Sequence, residues 1–270
     1  MDNISEAKFE RVNYHGHCDR CRHAQGPARA YVEEAVEKGL VRLGFSDHMP
    51  FPDDRFGLRM PYGELEDYFE EIWTLREEFK EKLDIRCGLE GEYVREDRAY
   101  YEKLLSDNGF QGKCEYLLLG QHFYETGQGD LINVYQIRDT AEYEIYAQNV
   151  AEAMETGYFR YVAHPDLIFL NNLAWDIHCD RACDIMIDGA VKHRVPLEYN
   201  ANGFRRQKQM YVDGERHPYP HERFWDKVKD AEVDVYVGSD CHEPSQVYDD
   251  IVEMAYEKLR EKGITARTDW

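Results

Sequence analysis

The segment Leu43-Gly44-Phe45-Ser46-Asp47-His48 is a short apolar run that ends on an acid and a histidine. Such a run is typical of a buried strand, and six other segments of the chain have the same strand-like character. Helix-like patterns lie between them, so the order of elements predicts a sheet of parallel strands joined by right-handed crossovers. The seven predicted strands cover residues 11–15, 43–48, 85–93, 116–122, 161–164, 196–200 and 233–239.

The helices between these strands are recognised by apolar residues that recur at three- and four-residue steps. The clearest series is Leu65, Phe69, Ile72, Leu75, Phe79 and Leu83. A second series lies within residues 247–259, and further helices are predicted at 28–38, 139–155, 179–192 and 221–230. Seven strands that alternate with helices predict a single domain over residues 1–270, an α/β TIM-like barrel with one unit fewer than the eight-fold barrel.

Candidate metal ligands lie where the predicted strands end. In barrels of parallel strands the chemistry is found at the carboxyl ends, and a purely structural histidine has no reason to prefer that end. Two pairs of these candidates are two residues apart, so both members point to the same face of a strand. Mixed imidazole and carboxylate ligands suit zinc, manganese and iron. The candidates are His15, His17, His23, His48, Glu90, His122, His164, Asp240 and His242.

Composition excludes some classes of function. The chain has 33 Lys and Arg against 54 Asp and Glu, a net charge of −21, and such a surface repels nucleic-acid phosphates. No apolar run reaches the length of a membrane span, and residues 1–10 lack the features of a signal peptide. We therefore expect a cytoplasmic protein without nucleic-acid or membrane partners. Cys18 and Cys21 form a C-x-x-C pair, read either as reduced cysteines or as a functional thiol pair.

Taken together, the motifs resemble the PHP (polymerase and histidinol phosphatase) superfamily, and most closely its histidinol-phosphate phosphatase branch. The resemblance runs from Tyr14 to about His242. It rests on Tyr-His-Gly-His at 14–17, Gly-Phe-Ser-Asp-His at 44–48, Gly-Leu-Glu-Gly-Glu at 88–92, Leu-Gly-Gln-His at 119–122, Ala-His-Pro-Asp at 163–166 and Gly-Ser-Asp-Cys-His at 238–242.

The resemblance implies a distorted seven-fold barrel, three divalent metal ions (Zn, Mn or Fe), and hydrolysis of a small phosphate monoester. The expected substrate is L-histidinol phosphate of histidine biosynthesis, and the expected step is in-line attack by a metal-bridging hydroxide. Residues 201–202 and 206–218 depart from the pattern of that branch, which leaves the substrate open. Carried over by motif, the three ligand sets are His15, His17, Glu90 and Asp240; Glu90, His122 and His164; and His23, His48 and His242.

Roles beyond metal binding are predicted for two residues. Asp240, a ligand beside the nucleophile, could also carry a proton to the leaving group, and the alternative is a ligand only. Arg205 follows the sixth strand, and the resemblance supports a guanidinium there that binds phosphate through two N–H groups. The alternative is a surface arginine.

The sequence leaves the roles of several other residues open. Asp47 and Glu92 could orient an imidazole, and Glu92 could also contact substrate; substrate contacts are likewise open for Arg55, Arg59, Arg160, His217 and His221. The alternative functions are a phosphoesterase for another small phosphate or a nucleotide, a proofreading nuclease, a barrel amidohydrolase, and a non-catalytic metal-binding protein. The oligomeric state is not predicted.

Overall fold

The computed structural model describes residues 10–269. Residues 1–9, on which the prediction about a signal peptide rests, and Trp270 lie outside the described residues. The strands are β1 Val12–Asn13, β2 Arg42–His48, β3 Asp84–Gly91, β4 Tyr116–Leu119, β5 Phe123–Glu125, β6 Leu131–Asn133, β7 Phe159–Val162, β8 Leu197–Asn200, β9 Gln209–Tyr211, β10 Gly214–Arg216, β11 Val235–Gly238 and β12 Ala266–Arg267. The helices are α1 Ala28–Glu37, α2 Leu65–Phe79, α3 Arg98–Leu105, α4 Ala141–Thr156, α5 Ile177–His193, α6 Asn202–Arg205, α7 Glu222–Lys229 and α8 Asp250–Glu261.

Eight strands form one curled sheet in the order β1-β2-β3-β4-β7-β8-β11-β12, and each neighbouring pair is parallel. The seven predicted strands are the first seven of this order. The eighth, β12, was not predicted because two residues carry no readable pattern. Beyond the strand ends, an isolated parallel bridge joins Gly16 to Cys241, so the ends of β1 and β11 meet. The curled, all-parallel α/β sheet is consistent with a TIM-like barrel.

The helices that the sequence predicts are all present, and their ends differ from the prediction by a few residues. Helix α3 and the short helix α6 were missed, as were two antiparallel hairpins, β5–β6 and β9–β10. Both hairpins extend loops that follow the carboxyl ends of sheet strands, β5–β6 after β4 and β9–β10 after β8. They therefore build up the end of the sheet at which the candidate ligands lie.

Two apolar clusters hold this architecture together. The large one fills the space between the sheet and the helices. The small one is made by residues of β1, β4, β7 and β11 and by Tyr14. Its rings interlock: Tyr161 and Tyr236 stack with centroids 5.3 Å apart, and the Tyr116 hydroxyl donates to the carbonyls of Tyr14 and Phe45, each at 2.9 Å. This small cluster is an apolar floor beneath the polar residues at the strand ends. Within residues 10–269, no helix combines the length and apolar character needed to cross a membrane.

Candidate metal centre

The nine predicted ligands converge at one end of the sheet. His48 is the last residue of β2 and Glu90 lies one residue before the end of β3. The others follow β1, β4, β7 and β11 within a few residues, apart from His23, which lies in the loop before α1. Their rings are packed together, with centroids 4.3 Å apart for His17 and His48, 4.4 Å for His17 and His242, and 4.9 Å for His122 and His164.

The Glu90 carboxylate lies among four imidazoles. Its Oε1 is 2.9 Å from Nε2 of His164 and 3.4 Å from Nε2 of His15. Its Oε2 is 2.9 Å from Nδ1 of His48 and 3.5 Å from Nε2 of His17. A carboxylate with imidazoles on both oxygens has the arrangement that a bridging ligand requires. Gly120 leaves room for it, because a Cβ atom there would lie 2.0 Å from Oε1 of Glu90.

The spacing of one ligand set tests whether a metal ion fits. Nε2 of His15 and Nε2 of His17 are 3.3 Å apart. Oδ1 of Asp240 is 3.2 Å from Nε2 of His17 and 3.7 Å from Nε2 of His15. For metal–ligand bonds of about 2.0–2.1 Å, adjacent donors of a tetrahedral shell are roughly 3.3–3.4 Å apart. His15, His17 and Asp240 therefore have the donor spacing of one divalent ion, and Glu90 lies 3.4–3.5 Å from both imidazoles.

The outer nitrogens of several imidazoles are held by acceptors, which leaves the Nε2 lone pairs facing inward. Nδ1 of His15 donates to Oε1 of Glu198 at 2.8 Å, and Nδ1 of His122 to Oε1 of Glu92 at 3.2 Å. Nδ1 of His17 lies 3.5 Å from Oδ1 of Asp47. A carboxylate behind an imidazole is a common way to fix the tautomer and the orientation of a metal ligand. The orienting roles predicted for Asp47 and Glu92 agree with these contacts.

His23 and His242 form the outer part of the cluster. Their Nε2 atoms are 2.9 Å apart, while Nδ1 of each faces a backbone carbonyl, that of Cys21 at 3.0 Å and that of Asp240 at 3.1 Å. Two inward lone pairs this close repel each other unless a cation or a proton lies between them. The groups of donor atoms close enough to share an ion overlap: His15, His17 and Asp240; His17, His48 and His242; His48, Glu90 and His122; Cys21, His23 and His242; and His17, Cys21 and Asp47. The predicted division into three sets stays a prediction.

The acids of the cluster are held ionised by its bases. Burial would raise the pKa of the Glu90 carboxyl, but the imidazoles of His15 and His48 outweigh it and keep that pKa well below its usual range. Burial also opposes ionisation of Asp240, and His15 and His17 again lower its pKa well below the usual value. Burial and the nearby His17 lower the pKa of His242 to about 4. Burial lowers the pKa of His17, but hydrogen bonds to Asp240 and Asp47 outweigh it and raise that pKa to about 9. Ionised carboxylates and neutral imidazoles are the forms that bind a metal, so binding at His17 would release a proton.

The backbone is strained at two of the ligands. His164 has a φ of 32° and Asp240 a φ of 49°, values that residues other than glycine adopt infrequently. Such strain is typical of functional sites, where the surrounding structure holds the residue in place. Here the backbone N–H of His164 donates to Oε2 of Glu198 at 3.0 Å, and that of Asp240 to the carbonyl of His15 at 2.9 Å.

A cavity of about 680 Å³ opens onto the cluster. Its wall away from the ligands is made by the loop before α2, the β5–β6 hairpin, the segment that starts at α6, and Tyr219. A cavity of this size accommodates a small molecule. The lining residues other than candidate ligands are Gly57, Leu58, Arg59, Phe123, Asn133, Tyr135, Leu167, Asn202, Arg205, Arg206, Tyr219 and Gln246.

Arg205 reaches this cavity with most of its N–H groups already bound to protein. Nε and Nη2 donate to the two carboxylate oxygens of Asp249 at 2.9 and 2.8 Å. Nη1 donates to the carbonyl of Ser239 at 2.6 Å, and Nη2 also approaches the Ser239 hydroxyl and the Gln246 carbonyl. One N–H of Nη1 has no acceptor among residues 10–269. The predicted substrate contact of Arg205 stays a prediction, and these bonds limit it to that single N–H.

The remaining candidates are divided between the cavity and the rest of the molecule. Arg59 lines the cavity and pairs with the buried Glu92. Arg55 pairs with Asp53 and Asp97 outside the lining. His221 contacts Asp213 at 3.2 Å, His217 faces the carbonyl of Arg206, and Arg160 interacts with Tyr236. The seven cysteines are buried and free, as the interpretation of reduced cysteines expects.

A sequence model of the PHP domain matches residues 13–202. The chain belongs to the PHP domain family. The match covers most of the sheet and all of the predicted ligands up to His164, and the two that follow it, Asp240 and His242, complete the same cluster.

Among curated PHP relatives, the "Probable histidinol-phosphatase" of Deinococcus radiodurans is 29% identical over 245 residues, which are 86% of each chain. The histidinol-phosphatase of Bacillus subtilis is 25% identical over 277 residues, 92% of this chain and 97% of that protein. A solved structure of histidinol phosphate phosphatase from Lactococcus lactis, complexed with Zn, L-histidinol and phosphate, superposes with a TM-score of 0.68 at 19% identity and covers 95% of both chains. The names confirm the predicted branch and the prediction of a phosphoric monoester hydrolase, and the superposition shows the fold.

Proposed function

We propose that this PHP protein is a metal-dependent phosphatase for a small phosphate monoester, with L-histidinol phosphate as the expected substrate. The observation that carries the proposal is the spacing of His15, His17 and Asp240, whose donor atoms lie 3.2–3.7 Å apart at the base of an open cavity, with Glu90 3.4–3.5 Å from both imidazoles. The names of its curated relatives support the substrate.

We propose three divalent ions, because nine ligand-type residues are more than one or two ions need. Bound ions would lower the pKa of a coordinated water to about 7 and neutralise charge on the phosphoryl group. The protein would keep Glu90 and Asp240 ionised, hold the imidazole lone pairs inward, and keep the apolar floor dry beneath them. We expect the sheet to close as a distorted seven-fold barrel through the bridge between Gly16 and Cys241, which joins the ends of β1 and β11. Strand β12 would pair with β11 outside the closed barrel.

Asp240 acts mainly as a metal ligand in this proposal. Its Oδ2 accepts hydrogen bonds from Nδ2 of Asn200 at 3.2 Å and from Nδ2 of Asn202 at 3.1 Å, while its Oδ1 faces His17. Both oxygens are therefore engaged, which disfavours the additional role of carrying a proton to the leaving group. The proton that the leaving group needs would then come from solvent.

The test is a panel of phosphate esters assayed with metal-reconstituted protein, together with elemental analysis. We expect about three ions per chain, and histidinol phosphate hydrolysed faster than bis(p-nitrophenyl) phosphate or nucleotides. Glu90→Gln should lower metal content at more than one site, because Glu90 contacts imidazoles on both oxygens. A single ion per chain would contradict the three-ion proposal, and a nucleotide as the best substrate would favour a PHP phosphoesterase of another specificity.

A second candidate substrate is a small phosphate ester other than histidinol phosphate, and two residues of the cavity support this alternative. Residues 201–202 and the start of 206–218, which depart from the resembled pattern, are found at the cavity: Asn202 and Arg206 both line it. Two residues of the cavity lining therefore belong to stretches in which the chain departs from the resembled pattern. The same ester panel distinguishes the two candidates.

A further inference from the structure

Three guanidinium groups line the cavity, and their charges are balanced differently. Arg59 is paired with Glu92, a carboxylate that is fully buried. Arg205 is paired with both oxygens of Asp249. Arg206 has an exposed side chain and no ion pair with any carboxylate of residues 10–269. Asp240 attracts its charge from a distance, so Arg206 is the cavity cation that has no carboxylate in direct contact and can accept an anionic ligand.

The surroundings of Arg206 keep it in place. Its guanidinium carbon lies 5.3 Å from the ring centroid of Tyr219, and a hydrogen bond joins its side chain to Tyr135. Both tyrosines line the same cavity. A guanidinium stacked on an aromatic ring keeps its N–H edge free for a planar or tetrahedral anion.

Arg206 is also close to the candidate metal cluster. The Tyr219 ring on which it stacks has its centroid 6.3 Å from that of His164. The carboxylates in the cavity lining are Glu90 and Asp240, and both belong to the metal cluster. Outside that cluster, the described lining therefore offers a substrate a positive charge, hydroxyls and amides, and no carboxylate.

We propose that Arg206 is the anion-binding residue of the cavity and that its guanidinium binds an oxygen anion of the substrate. The anion is either the phosphoryl group that is transferred or a second acidic group on the same molecule. The role rests on the proposed phosphatase function for its substrate, but the binding of an anion can be measured without turnover. Arg205 cannot bind an anion through two N–H groups, because its guanidinium is bonded to Asp249 and Ser239. In this proposal Arg206 makes that two-pronged contact instead.

The experiment compares Arg206→Gln and Arg206→Lys with Arg223→Gln as a matched control. Arg223 is also a guanidinium stacked on an aromatic ring, with 5.1 Å to the Trp175 centroid, but it does not line the cavity. Calorimetry with inorganic phosphate, on metal-reconstituted protein, measures anion binding directly. We expect Arg206→Gln to weaken phosphate binding about tenfold or more, Arg206→Lys to recover part of it, and Arg223→Gln to leave it unchanged. Equal metal content and equal melting temperatures establish that the variants are folded and loaded.

Steady-state kinetics on three esters then identify which anion is bound. A similar rise in KM for p-nitrophenyl phosphate, histidinol phosphate and 3-phosphoglycerate means that Arg206 binds the transferred phosphoryl group. A rise confined to 3-phosphoglycerate, which carries a carboxylate as well, means that Arg206 binds the second acid. In that case Arg206→Gln weakens the binding of inorganic phosphate only if free phosphate binds at the position of the second acid.

The two proposals can fail separately. Unchanged phosphate affinity together with unchanged KM for all three esters in Arg206→Gln overturns the role of Arg206 and leaves the phosphatase proposal standing. Absence of hydrolysis of every ester by the fully loaded parent protein overturns the phosphatase proposal, while phosphate binding that depends on Arg206 would still support the anion site.

Discussion

Glu198 connects the metal cluster to the protein beneath it. One carboxylate oxygen accepts from Nδ1 of His15 at 2.8 Å, and the other from the backbone N–H of His164 and from Nδ2 of Asn200. It is fully buried, and Gly238 makes room for it, because a Cβ atom there would lie 1.7 Å from Oε1. A single carboxylate thus orients one candidate ligand and holds the strained backbone of another.

Replacing Glu198 by Gln should weaken metal binding without removing a ligand. The amide keeps the size of the side chain but loses the charge that orients the His15 imidazole, and loss of such an orienting group typically costs about 10- to 100-fold in metal affinity or activity. Metal titration and kcat measure the effect. Tyr161→Phe is the control, since it removes only a 3.4 Å contact to the same carboxylate. Metal affinity equal to the parent in Glu198→Gln would exclude the orienting role.

Residues differ in how far their roles could be read from the sequence. The nine ligand-type residues were predictable because each belongs to a short motif and all but His23 lie at strand ends, and the structure brings them together. Glu198 was missed because it lies inside a strand, where nothing in the sequence tells a buried orienting acid from an ordinary one. Arg206 was not among the predicted substrate contacts, since the direction of neighbouring side chains after a strand depends on the turn of α6 and on Asp249, which is distant in sequence.

The loop between β2 and α2, residues 49–61, forms one wall of the cavity through Gly57, Leu58 and Arg59. One of its attachments is the ion pair between Arg59 and Glu92, whose side chains are 6% and 0% exposed. Glu92 also accepts from Nδ1 of His122. The pair therefore joins the cavity wall to a candidate metal ligand.

Breaking this pair from one side should be more harmful than removing both partners. Arg59→Met leaves the Glu92 charge buried and unpaired, which costs roughly 3–5 kcal/mol, whereas Arg59→Met with Glu92→Gln removes both charges. Urea unfolding of the parent, the two single variants and the double variant measures the coupling. Additive effects of the two substitutions would mean that the pair does not hold the loop.

The segment between the β9–β10 hairpin and α7 carries a buried histidine that should make stability depend on pH. Burial, together with Arg216, lowers the pKa of His221 to about 4, below the usual value of about 6.5 in an unfolded chain. The unfolded state therefore binds the proton first as the pH falls. The stability is fully present above about pH 6.5 and is lost towards pH 4, by about 2 kcal/mol between pH 7 and pH 5.

The measurement is urea unfolding of chelator-treated protein at pH 7 and pH 5, for the parent and for His221→Gln. Other groups titrate in the same range, but they are common to both proteins, so the difference between the two isolates His221. The variant should lose about 2 kcal/mol less than the parent over this range. Equal losses in both proteins would show that His221 is protonated in the folded state as easily as in the unfolded one.

Elements were predicted well where they are long and poorly where they are short. Helix α2 follows from six apolar residues with helical spacing, and β2 from a continuous buried run. Strand β12, with two residues, and the three-residue strands of both hairpins are defined by partners across space rather than by a local pattern. The β9–β10 hairpin lies within residues 206–218, one of the two stretches that depart from the resembled family.

At the scale of the whole molecule, the ligands lie on both sides of the junction between the first and seventh strands. The N–H of His17 donates to the carbonyl of Cys241 at 3.0 Å, and the N–H of Asp240 to the carbonyl of His15 at 2.9 Å. Ions held by His15, His17 and Asp240 would therefore join the end of β1 to the end of β11. The net charge of −21 adds a general attraction for cations.

Removing metal should consequently lower the stability of the entire domain. An ion at a hundred times its Kd contributes about 2.7 kcal/mol, which for a domain of this size is roughly 5–10 °C in Tm. Scanning calorimetry of chelator-treated and reconstituted protein should show this rise for each ion bound, with Mn, Zn and Fe compared. The backbone amides of His17 and Asp240 should also exchange with solvent more slowly once metal is added, because the ions reinforce the junction that these amides form. His17→Ala, which removes one donor of the best-formed set, should have a smaller rise in Tm than the parent. If the reconstituted and metal-free proteins melt at the same temperature, with metal bound to the first, then metal binding is not coupled to the closure of the sheet.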